Sequence, residues 1–212
     1  KHVFNNLYEK LKSLKELDTS VFVICGDIFH NRDRLTSETI ILFNEFITQL
    51  TSIIDIIIIL GNHDTFSHTD RLDVLTGIVS LKTNSNLYFL KYSGVYTYHN
   101  INFYVSSLLD NKFLRCPKET LDNKLNIALY HGPVQNCKLD NDYNYIGSDT
   151  IKLIDFNFFD YVLLGDIHKR QFLTETIAYP GSLIQQSHKE EDIHGILSWD
   201  LINKKSEFIE IE

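Results

Sequence analysis

Polar side chains that could bind a metal ion follow four apolar stretches of the sequence. They are Asp27 after "VFVICG", Asn62, His63 and Asp64 after "IIIILG", His131 after "NIALY", and Asp166 and His168 after "YVLLG". The apolar, partly β-branched composition of each stretch is typical of a buried strand. Because ligands of open α/β sheets bind beyond the carboxyl ends of the strands, we expect these side chains to surround one cleft.

The donor atoms in these motifs predict a catalytic metal site. Imidazole nitrogen with carboxylate and amide oxygen suits Mn²⁺, Fe²⁺ or Zn²⁺, and it lacks the thiolates of a structural zinc site. Two cations about 3.5–4 Å apart would stabilise both the attacking and the leaving oxygen of a phosphoryl displacement. Asp27 is the natural bridge between them. His63 would be the general acid, and Asp64 could fix its orientation.

Each motif also has a simpler interpretation. Asp27 alone could cap a strand end, "GNHD" could be a turn, and His131 could be a partly buried loop histidine. Short motifs match by chance. Four strand ends of this kind in one chain favour the metal site over these alternatives.

Composition limits the class of protein. The 212 residues, of which 43% are hydrophobic, suffice for one sizeable folded domain. The formal charge of −8 argues against a strongly basic nucleic-acid binder, but not against an enzyme that meets phosphates through bound cations. The run "IIDIIIIL" is too short to span a bilayer, and three widely spaced cysteines indicate a reducing compartment. We therefore expect a soluble intracellular protein of the cytoplasm or nucleus, with no membrane segment.

Periodicity places the elements between these motifs. Helices are predicted at about 2–16, at 34–50 with Thr36 or Ser37 as N-cap, and at 68–81, opened by Thr69 or Asp70. The remaining predicted elements are strands: a short one near 87–90, a hairpin over 94–108 turning at His99-Asn100, and a hairpin over 194–212 turning at Asn203-Lys204. Early alternation of strands and helices, followed by hairpins, predicts an α/β fold with mixed sheets.

Taken together, "GDIFHNRDR", "GNHD", "YHG" and "GDIH" resemble the motifs of the calcineurin-like metallophosphoesterases. With "YPGSL" after the last motif, the sequence looks most like the DNA double-strand-break repair nucleases of the SbcD type. The resemblance implies an α/β/β/α four-layer sandwich of two mixed sheets flanked by helices. It also implies a phosphodiesterase of DNA repair and recombination that uses two divalent cations, Mn²⁺ first, with Mg²⁺, Fe²⁺ and Zn²⁺ as alternatives.

The resemblance assigns a role to each motif residue. Asp27 would bridge the two cations, His168 would bind one of them, His63 would be the general acid, and His30 would contact the substrate near the scissile phosphate. The other cation would be bound by the remaining ligands of the set, Asn62, His131 and Asp166.

Two departures accompany the resemblance. The family's first motif, an Asp-x-His on the first strand, is not in the sequence, so we expect an N-terminally incomplete nuclease domain at 1–190 that lacks this strand. One cation site then retains only Asp27 and His168. The terminal hairpin, 191–212, would complete the sheet or start a cap domain. Asp166 stands where the family usually has histidine, and its charge favours a hard cation over zinc.

Three functions remain open at this point. The first is a DNA exonuclease or endonuclease whose partner is an SMC-like ATPase of the SbcC type, engaged through segments outside this chain, with a homodimer as a further arrangement. The second is another phosphoesterase, such as a nucleotidase. The third is a scaffold of the same fold that has lost its metals.

Several other polar residues are predicted to lie outside the site. These are His68, His99, His188 in the charged loop "SHKEED", and His194. Lys169 and Arg170 could contact phosphate or could be solvated at the end of the strand, and the sequence favours neither interpretation. Tyr143 and Tyr145 could stack on bases, but loop packing is favoured for them because no basic residues are interleaved.

Overall fold

The computed structural model describes residues 1–14, 17–30, 35–66, 73–79, 86–110, 112–119, 123–140, 142–148, 150–188, 190 and 192–211. Within these ranges the chain forms three α-helices, two 3₁₀ helices and eleven strands. The helices are α1 (His2–Lys12), α2 (Ser37–Thr51) and α3 (Val74–Val79), and the 3₁₀ helices cover Leu17–Thr19 and Leu153–Phe156.

The strands form three sheets. A three-stranded parallel sheet has the order β1 (Val21–Cys25), β2 (Asp55–Ile59), β3 (Leu87–Phe89). A mixed six-stranded sheet has the order β4 (Gly94–Tyr98), β5 (Ile101–Ser106), β6 (Leu125–His131), β7 (Tyr161–Gly165), β9 (Ile177–Tyr179), β8 (Gln171–Thr174). The third sheet is a hairpin of β10 (Gly195–Asp200) and β11 (Lys205–Glu210).

The side chains of β2 point alternately to the two faces of the three-stranded sheet, and both faces are buried. Ile56 and Ile58 face a core formed with the three helices, which contribute Leu11, Ile47 and Leu75 among others. Ile57 and Ile59 face the opposite core, which lies between the two larger sheets. A run of isoleucines fits this position because a strand of a covered parallel sheet is apolar on both sides.

Strands β6 and β7 are buried on both faces in the same way. Ile127 and Leu129 of β6 point into the core between the sheets, and Ala128 and Tyr130 point to the outer core. In the described part of the chain, the outer core is covered by the 3₁₀ helix Leu153–Phe156 and by loops. The layer order of helices, sheet, sheet and outer cover confirms the predicted mixed α/β fold.

The terminal hairpin packs on the rest of the molecule. Ile209 and Ile211 join the core under the helices, and Trp199 stacks edge-on against Tyr161 and Phe172. The Arg170 guanidinium lies 3.8 Å from the centre of the Phe208 ring. These contacts tie the hairpin to β7 and to the segment that follows it.

Most predicted elements are present, with shifted ends. Thr36 is the N-cap of α2, where its hydroxyl accepts a hydrogen bond from the Thr39 N–H at 3.2 Å. The proposed caps of the third helix, Thr69 and Asp70, lie outside the described residues. In the described segment that helix begins at Val74, and the Asp73 carboxylate accepts from the Thr76 N–H at 2.6 Å.

Both hairpins are found where the sequence places them. Strands β4 and β5 pair antiparallel around His99, and β10 and β11 pair around a turn that ends at Lys204. The short strands β8 and β9 were not predicted. None of the helices in the described ranges has the length and apolar character needed to cross a bilayer.

Candidate metal centre

Three of the predicted ligands meet at the ends of strands from both larger sheets. Asp27 follows β1, His131 ends β6 and Asp166 follows β7. One ligand atom from each lies within 4.8 Å of the others. The His131 Nε2 atom is 3.3 Å from Asp27 Oδ2 and 3.7 Å from Asp166 Oδ1. Ligands at about 2.0–2.2 Å from one ion have mutual separations in this range, so the three residues fit a single divalent cation.

The His131 ring is fixed across the two sheets. Its Nδ1 atom donates to the Cys25 carbonyl oxygen at 2.6 Å, because a carbonyl can only accept. The Nε2 atom therefore faces the two carboxylates and is the ring atom available to a cation. The imidazole is almost completely buried, with 1% of the residue exposed.

Asn62 completes the group. One polar atom of its amide lies 2.9 Å from His131 Nε2. With the amide nitrogen in that place, Asn62 also donates to each oxygen of Asp27 at 3.1 Å. With the amide oxygen there, the same side chain offers a further oxygen ligand. Imidazole, carboxylate and amide without thiolate suit a hard or borderline divalent cation.

Glycines allow the strand ends to approach one another. Gly26 has φ +87°, and a Cβ there would lie 2.5 Å from His131 Nδ1. A Cβ on Gly61 would meet the Asp27 side chain, and one on Gly165 would lie 2.7 Å from His131 Nδ1. The two carboxylate positions are also unusual, since Asp27 has φ 54° and Asp166 has φ 94°. Positive φ values cost energy in residues with a side chain, and such strain is commonly found at functional sites.

Asp27 and His131 stabilise each other's charges, whereas the charge of Asp27 disfavours that of Asp166. Burial raises the pKa of Asp27, but the hydrogen bond and charge of His131 outweigh it and hold that pKa below its ordinary value. Burial lowers the pKa of His131, and Asp27 more than compensates, so that pKa is raised. Burial, together with the Asp27 charge, raises the pKa of Asp166 against the opposing effect of His131.

His63 and His30 stand beside this group. The His63 N–H donates to Asp27 Oδ1 at 2.9 Å, and its ring Nδ1 donates to the His30 carbonyl oxygen at 2.9 Å. The two imidazoles stack with ring centres 5.3 Å apart. The His63 ring thus has a fixed orientation, with Nε2 as its other polar atom.

Asp64 has a different set of partners from the one predicted. It is fully buried, and the hydrogen bonds to its carboxylate come from the backbone N–H groups of Gly61, Ile28 and Phe29 at 2.9–3.1 Å. Burial is the main cause that raises its pKa to about 6. Asp64 therefore joins the loop after β1 to the loop after β2. The carbonyl of His30, not Asp64, is the hydrogen-bond partner of the His63 ring.

His168 lies in a second group of polar side chains. Its Nδ1 atom is 3.0 Å from Glu190 Oε1, and Asp140 offers a carboxylate oxygen within 4.8 Å of both. The sequence did not predict Glu190 as part of a site, because this residue lies in the charged run "SHKEED", whose composition is typical of a solvated loop. The structure shows Glu190 buried, at 7% exposure.

The remaining polar candidates are placed as follows. Lys169 forms an ion pair with Asp142 at 3.2 Å, and Arg170 covers Phe208. Tyr145 packs on the outer core as expected, whereas Tyr143 is exposed.

Carboxylate, amide and imidazole side chains thus meet where strands of a parallel sheet and of a mixed sheet end, which is the arrangement of a divalent-cation-binding protein. Residues 2–170 match the family of calcineurin-like phosphoesterases, and the chain belongs to that family. The family binds divalent metals, which agrees with the ligand group formed by Asp27, His131 and Asp166.

Two viral proteins are similar to the chain. It is 41% identical over 224 residues to "Uncharacterized protein R555" of Acanthamoeba polyphaga mimivirus, which covers 100% of the chain and 16% of that protein. It is 28% identical over 185 residues to "Putative phosphoesterase 244L" of Invertebrate iridescent virus 6, covering 85% of the chain and 64% of that protein. The chain therefore spans about a sixth of the first relative and less than two thirds of the second.

Proposed function

We propose that the chain is the catalytic part of a Mn²⁺-dependent DNA nuclease that hydrolyses phosphodiester bonds with two cations. The observation that carries this proposal is the position of His63 beside the ligand group. Its backbone donates to Asp27, a predicted bridging ligand, and its ring is held by the His30 carbonyl. A proton donor fixed next to a cation-binding carboxylate is the arrangement that phosphate-ester hydrolysis requires.

Each residue then has a defined part in the reaction. Bound cations would supply the positive charge that stabilises the phosphate as its charge builds up. Asp27, Asn62, His131 and Asp166 would hold one of them, and Asp27 with His168 would contribute to the other. In its imidazolium form, His63 would donate the Nε2 proton to the leaving oxygen, while its Nδ1–H stays bonded to the His30 carbonyl. The exposed His30 ring, which stacks on His63, would contact the nucleotide next to the scissile bond.

A comparison of substrates tests this proposal. The protein loaded with Mn²⁺ is expected to cleave duplex or single-stranded DNA faster than it releases phosphate from mononucleotides. His63→Ala should lower DNA cleavage by roughly 10²–10⁴-fold, the usual contribution of a general acid, with little change in Mn²⁺ affinity. His188→Ala, which removes an exposed histidine in the "SHKEED" run, is the matched control. Cleavage of mononucleotides alone would contradict the nuclease and indicate a nucleotidase.

The partner remains part of the same proposal. An SMC-like ATPase would engage segments outside this chain, and the sequence resemblance to repair nucleases of the SbcD type is the support for it. Co-purification of the longer protein with such an ATPase, with and without those segments, would test the interaction.

A further inference from the structure

The His168 side chain is partly exposed, and its ring is hydrogen-bonded to a buried carboxylate. Its side chain is 41% exposed, whereas the side chain of its partner Glu190 is only 1% exposed. The two are joined by the bond between Nδ1 and Oε1 at 3.0 Å. A half-exposed imidazole can otherwise occupy several rotamers and both neutral tautomers.

Glu190 is itself fixed by two further donors. The Ser182 hydroxyl donates to Oε2 at 2.7 Å, and the Gln186 N–H donates to Oε1 at 3.1 Å. With the bond from His168, both oxygens of the Glu190 carboxylate are therefore engaged as acceptors.

The loop that carries Ser182 is tied to His168 a second time. The Ser182 N–H donates to the His168 carbonyl oxygen at 3.1 Å. Gly181 makes this approach possible, because it has φ +84° and a Cβ there would lie 2.8 Å from the same carbonyl. The segment "YPGSL" is thus in direct contact with the segment "GDIH".

We infer that Glu190, supported by Ser182, is a positioning residue that holds His168 as a cation ligand. An acceptor at Nδ1 requires the ring hydrogen on Nδ1, which leaves the lone pair on Nε2 free for a divalent cation. A carboxylate behind a ligating imidazole fixes its tautomer and orientation in many metal sites. This inference deepens the proposed function and rests on it for the catalytic use of the cation, but the hydrogen bond can be tested without activity.

The first measurement is the tautomer of His168 in protein treated with a chelator, read from the ¹⁵N shifts of its imidazole. The protein should show the Nδ1–H form. Glu190→Ala should lose this preference, and Glu190→Gln, whose amide oxygen can still accept, should retain it in part. Glu175→Ala, at an exposed turn between β8 and β9, is the matched control and should change nothing.

The second measurement is Mn²⁺ affinity by calorimetric titration, with His168→Ala used to identify the binding event that depends on this ring. Glu190→Ala should weaken that event by about 10–100-fold, the usual effect of removing an outer partner of a ligand. Ser182→Ala should weaken it less. The thermal midpoint of each variant is recorded, so that a general loss of folding is recognised.

Three results would overturn the inference. In the first, Glu190→Ala lowers the thermal midpoint but leaves tautomer and Mn²⁺ affinity unchanged, which makes Glu190 a structural contact only. In the second, Asp140→Ala weakens Mn²⁺ binding as much as Glu190→Ala, which makes both residues direct ligands. In the third, His168→Ala leaves Mn²⁺ binding intact. If the tautomer and affinity results hold but DNA is not cleaved, the proposed function fails and the inference stands.

Discussion

Asp166 shows how one side chain can set the character of the site. It follows β7 with φ 94°, a conformation that Asp tolerates better than most residues. Its carboxylate oxygen lies 3.7 Å from His131 Nε2, within the ligand group. A carboxylate at this position adds negative charge beside Asp27, and harder cations gain more from it than zinc does.

Asp166→Asn should therefore change the metal preference of the protein. Asn keeps the size of the side chain and its tolerance of positive φ, but it removes the charge. We expect affinity for Mn²⁺ and Mg²⁺ to fall by about tenfold or more, with a smaller loss for Zn²⁺. Competition titrations of the three ions would measure this. Asp18→Asn, at an exposed position, is the control, and equal losses for all three ions would contradict the interpretation.

At the scale of elements, the two loops after β1 and β2 form one unit through Asp64. Its carboxylate accepts three backbone N–H groups, one from its own loop and two from the other. The bonds from Gly61 and Phe29 are buried, and the bond from Ile28 is partly buried. Asp64 thus determines how the loop of Asp27 and the loop of Asn62 lie against each other.

Asp64→Ala should destabilise the protein strongly. Each buried donor left without an acceptor costs about 1–3 kcal/mol, so a loss of roughly 3 kcal/mol or more is expected in the free energy of unfolding. Asp64→Asn, which retains one acceptor oxygen, should lose less. Urea unfolding in the presence of a chelator measures both without a contribution from bound cations. An unchanged midpoint for Asp64→Ala would refute the role given to this residue.

The glycines provide a second test at this scale. Gly61→Ala places a Cβ against the Asp27 side chain, 2.8 Å from its Cγ, so Asp27 must move. Gly77→Ala, in the middle of α3, meets no atom within 4 Å. We expect Gly61→Ala to weaken cation binding sharply. Gly77→Ala should leave binding unchanged and stabilise the protein by about 0.5–1 kcal/mol, because Ala favours a helix more than Gly does. Equal cation affinities of the two variants would disprove the close approach at Gly61.

The sequence predicted which candidate ligands lie together better than it predicted the residues that support them. Apolar strands that end in Gly and a ligand residue have a clear local pattern, so Asp27, Asn62, His131 and Asp166 could be found by position. Glu190 could not, because burial of one acid among several charged neighbours depends on contacts with Ser182 and His168. Strands β8 and β9, with four and three residues, are too short for a reliable alternation. The true partners of Asp64 depend on two loops that are distant in sequence.

At the scale of the whole molecule, the ligands come from four distant segments of the chain. Asp27, Asn62, His131 and Asp166 are brought together only when both larger sheets have formed and packed. The unfolded chain cannot present this group, so a cation bound to it would stabilise the folded state by mass action.

Added cation should therefore raise the thermal midpoint. At a concentration about 100 times the dissociation constant, the gain is about 2.7 kcal/mol. For a chain of this length that corresponds to a rise of about 5–10 °C. Asp27→Asn should show little or no rise under the same conditions. Fluorescence of Trp199, the single tryptophan, measures the transition because that ring packs on Tyr161 and Phe172. A rise of equal size in Asp27→Asn would place the cation elsewhere.

The bond from His131 to the Cys25 carbonyl joins a ligand of one sheet to the backbone of the other. The spacing of the two sheets is set by the side chains between them, among them Ile57 of β2 and Leu129 of β6. A change of side-chain volume in that layer would shift one sheet against the other and tilt the imidazole away from Asp27. Side chains that contact no cation are thus restricted in size by the geometry of the ligand group, so substitutions in this layer are limited by more than the need to fold.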